Sequence, residues 1–181
     1  MKIVFVVGSL RFNSFNGQLA KRCEELLKDK AEITYLDYTL LPFMNQDIEF
    51  PAPEEVTKVR EIIKETDGIY FFTPEYNGSY PGALKNLIDW LSRPLEPGKY
   101  DTVVIRGKKV AIAGVAGKSA AANSRSKLKE LLTGIKCDVL KEEVGIPIPP
   151  ASWQSDVLTL TDEQVKELEK QCELFMNFVG L

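Results

Sequence analysis

Short apolar runs rich in β-branched and aromatic residues alternate along this chain with longer segments whose apolar residues recur at helical spacing. Few feature sets constrain a fold more tightly. A run such as Ile3–Val7 or Ile69–Thr73 has no polar alternation, so both of its faces must be covered. Between the runs, Leu19, Cys23, Leu26 and Leu27 share one helical face. Val56, Val59, Ile62 and Ile63 share another. Strands that alternate with helices form βαβ units around a parallel sheet.

The spacing predicts strands at Ile3–Val7, Ile33–Asp37, Ile69–Thr73, Val110–Ala113 and around Asp138–Leu140. Helices are expected over Phe15–Lys28, Glu54–Glu65, Pro81–Leu91, Ala120–Leu132 and from Thr161 onward. Thr161 and Gln164 have the spacing of a capping box, and Val165, Leu168, Cys172, Phe175 and Met176 would face inward. Tyr38–Pro53 reads as an ordered loop, Arg93–Gly107 as a surface loop, and Val144–Trp153 as proline-rich and irregular. The 181 residues fit one domain, residues 1–181. Five strands and five helices point to a flavodoxin-like α/β three-layer sandwich, with a five-stranded parallel sheet in order 2-1-3-4-5 and helices on both faces. Ligands of such sheets sit beyond the carboxyl ends of the strands, near the switch between strands one and three.

Composition narrows the function. A net charge of −3 gives no reason to expect nucleic acid or a membrane surface as partner, and no apolar run approaches a bilayer span. Lys2 alone precedes the first apolar run and no small-residue cleavage site follows, so no signal peptide is expected. Cys23, Cys137 and Cys172 are odd in number and far apart, which reads as reduced thiols in a cytoplasmic protein. No histidine is present, which removes Ser-His-Asp and Cys-His hydrolysis and His-ligated zinc. A bound cofactor is expected to carry the difficult chemistry, with no catalytic side chain and no metal.

The turns after strands one and three fall at the switch point. Gly8–Asn16 offers a helix start, hydroxyls at Ser9 and Ser14, the Asn16 amide and the Arg11 guanidinium, a set suited to a phosphomonoester. Its alternative reading is a hydrophilic turn with Ser14 as N-cap. After strand three, Pro74 stiffens the chain, Gly78 and Gly82 permit unusual backbone, and Pro81 suits a first helical turn. The backbone of Glu75, Tyr76 and Asn77 would read the edge of a flat ring. Trp90 and the Leu84–Leu91 stripe read as packing. A phosphate site beside a ring site indicates a mononucleotide, with FMN as the best candidate. Gly117-Lys118-Ser119 lacks the upstream glycine of a P-loop, and the first turn lacks dinucleotide glycine spacing.

The residues Gly8-Ser9-Leu10-Arg11, Ser14 and Asn16, and the run from Pro74 to Trp90, make the chain resemble the NADPH-dependent FMN reductases. These flavodoxin-like bacterial enzymes include quinone, azo-dye and chromate reductases. The resemblance implies that Ser9, Arg11, Ser14 and Asn16 hold the FMN phosphate, with Phe15 in the same turn. Pro74, Glu75, Tyr76 and Asn77 would line the ribityl chain and ring. It also implies hydride transfer from NADPH or NADH to FMN, and onward to a quinone, azo compound, metal oxyanion or free flavin. The helix from Pro81 would help form a dimer, often within a tetramer. The loop after strand four departs from the family pattern. Gly117 aligns, but Ala120-Ala121 stands in place of a glycine pair, and Asn123 in place of an arginine. Gly117 and Lys118 are expected to border the ring, with Lys118 partly replacing the lost charge. An FMN-binding electron carrier without nicotinamide turnover is the rival reading.

Overall fold

The computed structural model of the chain describes residues 1–180. Six parallel strands form one sheet: β1 (Lys2–Val7), β2 (Glu32–Tyr35), β3 (Gly68–Thr73), β4 (Lys109–Ala116), β5 (Asp138–Val139) and β6 (Val144–Pro147). The order is β2-β1-β3-β4-β5, with β6 also paired to β4. Six helices cover it: α1 (Phe15–Leu27), α2 (Glu54–Glu65), α3 (Gly82–Leu91), α4 (Ala122–Gly134), α5 (Pro150–Ser155) and α6 (Asp162–Gly180).

The period of two along β3 divides the core. Tyr70 and Phe72 face one side, where they meet Leu19 and Cys23 of α1 and Cys172 and Phe175 of α6. Ile69 and Phe71 face the other, with Ile63 of α2, Leu84 and Leu87 of α3, and Leu128 and Leu132 of α4. Every residue of β3 is buried, as expected of a central parallel strand. Trp90 is also fully buried, and its indole N–H donates to the Pro42 carbonyl at 2.8 Å.

Several expectations are corrected. The fifth position in the sheet is not one strand. β5 pairs with the start of β4 (Lys109, Val110), and β6 pairs with its end (Ala113–Ala116). Between them the chain leaves the ladder at Lys141-Glu142-Glu143. Gln171 of α6 bridges the gap, its amide donating to the Ile112 and Glu142 carbonyls at 2.9 Å each. The stretch Val144–Trp153 is therefore strand and helix, not irregular. Arg93–Gly107 is a loop with one 3-10 turn at Tyr100–Thr102, but it is not wholly on the surface, since Val104 and Ile105 are buried. β2 stops at Tyr35 and β4 extends to Ala116. α3 begins at Gly82 with Pro81 as its cap, and α4 begins at Ala122. The capping box closes as expected: Thr161 N–H donates to Gln164 Oε1 at 2.9 Å, and Gln164 N–H to Thr161 Oγ1 at 3.3 Å. Val165 is only half-buried on that helix.

Candidate active site at the carboxyl edge of the sheet

A cleft of about 260 Å³ opens where β1, β3, β4 and β6 end. Its walls are Ser9, Arg11, Ser14, Phe15 and Asn16 from the β1–α1 turn, and Pro74, Glu75 and Tyr76 from the β3–α3 turn. Val115, Ala116 and Gly117 come from β4 and the turn after it, and Ile148 and Trp153 from the segment after β6. A larger, shallower hollow of about 740 Å³ lies around Met1, Lys28 and Asp67, at the amino ends of the strands. Parallel sheets place their ligands at the other end, where the carboxyl-edge cleft lies.

Ser14 has extended backbone and caps α1, accepting from Gly17 N–H at 3.0 Å. The bond occupies an acceptor lone pair, so the hydroxyl proton remains available to an anion. Asn16 has a structural role besides its place in the cleft wall. Its side-chain amide donates to the Val115 carbonyl at 3.0 Å and its carbonyl accepts from Val115 N–H at 2.9 Å. That pair is buried and ties α1 to β4, using one of the two amide hydrogens, and Asn16 also lines the cleft. Its backbone N–H, at the helix start, is a further donor for an anion. Arg11 lies 5.1 Å from the Phe15 ring centroid and donates to Asp156 Oδ1 at 2.6 Å.

After β3 the chain makes a two-residue reversal. Asn77 and Gly78 have φ of 52° and 70°, and Tyr76 and Ser79 exchange backbone bonds of 2.9 and 3.1 Å. Asn-Gly is the pair best suited to such a turn. Lys127 of α4 donates to the Gly78 carbonyl at 2.7 Å. Ser9 Oγ and the Tyr76 hydroxyl lie 3.4 Å apart across the cleft mouth. Glu75 turns to the start of α4, accepting from the N–H groups of Asn123 and Ser124 at 2.9 and 3.2 Å. Desolvation opposes its charge, but the donors from Ser124, Ser119 and Asn123 outweigh it and hold the carboxyl below its usual range.

Asn77 is exposed and outside the cleft walls. Lys118 is exposed and also outside the residues that line the cleft. Ala120 and Ala121 adopt φ of 49° and 59°, the conformation a glycine pair would take without strain. Val115, Ala116, Ile148 and Trp153 were not anticipated. Pro149-Pro150 is a start signal that marks α5 and hence Trp153. All three thiols are buried and unpaired. Burial lifts Cys23 and pushes Cys137 up to about 12, so neither presents a thiolate at neutral pH.

The model of the NADPH-dependent FMN reductases matches residues 1–149. A 2-hydroxy-1,4-benzoquinone reductase from Burkholderia sp is 40% identical over 116 residues, 64% of this chain and 61% of that protein. A quinone reductase of Pseudomonas putida matches to a similar extent, so the chain spans about three-fifths of the length of these two curated relatives. An NAD(P)H:quinone oxidoreductase from Solanum tuberosum is 34% identical over 92% of this chain and 86% of its own. Among solved structures, FerB from Paracoccus denitrificans, a flavoenzyme NAD(P)H:(acceptor) oxidoreductase, superposes with a TM-score of 0.87. It is 30% identical and covered to 97%, against 99% of this chain. With its parallel sheet in order 2-1-3-4-5 and this cleft at the switch point, the chain belongs to the NADPH-dependent FMN reductase family.

Proposed function

We propose that the chain is an FMN-dependent NAD(P)H oxidoreductase whose acceptor is a quinone. The observation that carries this reading is the two-ended cleft. One end gathers the Ser9 and Ser14 hydroxyls, Arg11 and the first turn of α1. The other is walled by Pro74, the backbone of Glu75 and Tyr76, and the turn at Gly117. A phosphomonoester fits the first end, since a helix start, two hydroxyls and a guanidinium favour a compact anion. A flat ring fits the second. A Cβ placed on Gly117 would meet no protein atom within 4 Å, so this backbone faces open space for a ring edge.

Bound FMN supplies acceptance and donation of hydride. Ser9, Arg11 and Ser14 would anchor the phosphate, and Pro74, Glu75, Tyr76 and Gly117 would border the ring. No side chain of the cleft needs to act as acid or base. The names of the relatives, quinone reductases among them, favour turnover over a carrier role.

Phe12, Phe43, Leu40 and Leu10 are exposed on the β1–α1 and β2–α2 loops, which supports a homo-oligomer, dimer or tetramer. No helix among the described residues is long and apolar enough to cross a membrane. Three unpaired thiols support a cytoplasmic location.

The test is an absorbance titration with FMN, then anaerobic NADPH, then benzoquinone. The expected result is bound flavin that bleaches with NADPH and recovers with the quinone. Arg11→Ala is expected to weaken FMN at least about tenfold, the loss of one charge-assisted contact of about 1.5–3 kcal/mol. Flavin that binds but stays oxidised under NADPH would overturn the oxidoreductase reading.

A further inference from the structure

The donors nearest the cleft mouth already hold an anion, and the chain itself supplies it. α5 ends at Asp156, whose backbone is left-handed at φ 56°. The Asp156 carboxylate accepts from Arg11 Nη1 at 2.6 Å and from Asn13 Nδ2 at 2.9 Å. Its backbone carbonyl accepts from the same Asn13 amide at 2.9 Å and from Gln18 Nε2 at 3.0 Å. One turn earlier, Trp153 sets its ring against Phe15, with centroids 5.4 Å apart and planes at 84°. The segment from Pro150 to Asp156 is therefore a strap laid over the β1–α1 turn, fastened at one end by an edge-to-face aromatic contact and at the other by charge. It lies beyond the residues that the family model matches.

We propose that Asp156 is an internal competitor for the cofactor phosphate, and that the strap must give up Arg11 and Asn13 when a phosphomonoester binds. The inference rests on the FMN reading above. The Asp156 carboxylate cancels the charge of Arg11, the only cation lining the cleft among the described residues. A dianionic phosphate brought to the same guanidinium would meet that carboxylate at short range, and like charges repel. Arg11 and Asp156 are each about half-exposed, 49% and 47%, so the pair can part toward water without burying a bare charge. The competition acts on the phosphate alone. It lowers affinity for FMN while leaving the ring contacts untouched, which makes the cofactor exchangeable.

An Asp156 that instead steadied Arg11 for the phosphate would give the opposite sign, so the sign decides. Dissociation constants for FMN and for riboflavin, which lacks the phosphate, are measured by flavin fluorescence on the wild-type protein and on Asp156→Asn and Asp156→Glu. Asp156→Asn is expected to bind FMN about tenfold tighter, about 1.4 kcal/mol, with riboflavin within about twofold of wild type. Asp156→Glu keeps the charge and is expected to stay near wild type. It also separates the effect of charge from any loss of the strap's fold, which thermal melts of both variants follow. FMN binding that is unchanged or weaker in Asp156→Asn overturns the inference and leaves the FMN reading intact. A wild-type protein that binds neither flavin overturns that reading and this inference with it.

Discussion

Two turns at the same edge of the sheet meet one backbone demand by opposite means. After β3, positive φ falls on Asn77 and Gly78, residue types that accept it, and the reversal closes on its own Tyr76–Ser79 bonds. After β4, positive φ falls on Ala120 and Ala121, where an L side chain resists it by roughly 1–2 kcal/mol each. The surroundings impose that second turn. Ala121 is fully buried, and the Ala120 carbonyl accepts from Arg125 Nε at 3.3 Å. Arg125 is in turn held by Glu143 at 3.1 Å, the carboxylate at the break between β5 and β6. Gly114 and Gly145 leave the room, since a Cβ on either would come within 2.7 Å of the turn. A turn held by residue type tolerates changes in its neighbours, and a turn held by packing does not.

The largest expected effect tests the packed turn. In Gly145→Ala the new Cβ would lie 2.6 Å from the Ala120 carbonyl oxygen and 2.5 Å from Arg125 Nη2. Backbone and a tethered guanidinium must both shift, at about 3 kcal/mol in a urea melt. A loss below about 1 kcal/mol would show that the turn is softer than its contacts imply. Gly78→Ala sharpens the contrast. No atom lies within 4 Å of the added Cβ, so only the φ of 70° opposes it, at about 1 kcal/mol. Ala120→Gly runs the other way. Relief of left-handed strain less the added freedom of the unfolded chain leaves a gain of roughly 0.5 kcal/mol, read as a higher Tm.

The smallest effect is electrostatic and joins the two turns, because Glu75 of the first caps the helix that follows the second. Its carboxyl is held below the usual range in the folded protein. The contribution is therefore complete above the unfolded value of about 4.3 and declines as pH falls through the lower folded value. Glu75→Gln should lower stability slightly at pH 7, where the contribution is complete, and flatten the acid limb below about pH 4 so that the two proteins converge there. Equal slopes for the two proteins in that limb would remove Glu75 as the source.

Much of this was legible beforehand, for reasons that differ by element. β1, β3 and α2 follow from continuous apolar runs and a clean helical stripe, which depend only on neighbours in sequence. Ser9, Arg11 and Ser14 stand where strand, turn and helix spacing put them, and the cleft gathers them with Pro74, Glu75 and Tyr76. Spacing puts Asn16 at the cleft, but only the fold shows that its amide also binds Val115, which lies 99 positions away. Lys118 follows Gly117 in sequence but is exposed and is not among the residues that line the cleft. The division into β5 and β6 depends on Gln171, an ordinary polar residue on α6 until its amide is seen filling the gap.

By itself, the amino-acid order determined the alternation of strands and helices, the parallel sheet, and the two turns that meet at its switch point. Those properties come from period, branching and turn chemistry, which act over a few residues. Tertiary structure alone decided that two alanines adopt a glycine's conformation, that Asn16 serves the fold, and that Asp156 reaches Arg11 across 145 positions. Each depends on groups distant in sequence whose meeting is set by how helices pack on the sheet, and no local pattern encodes such a meeting.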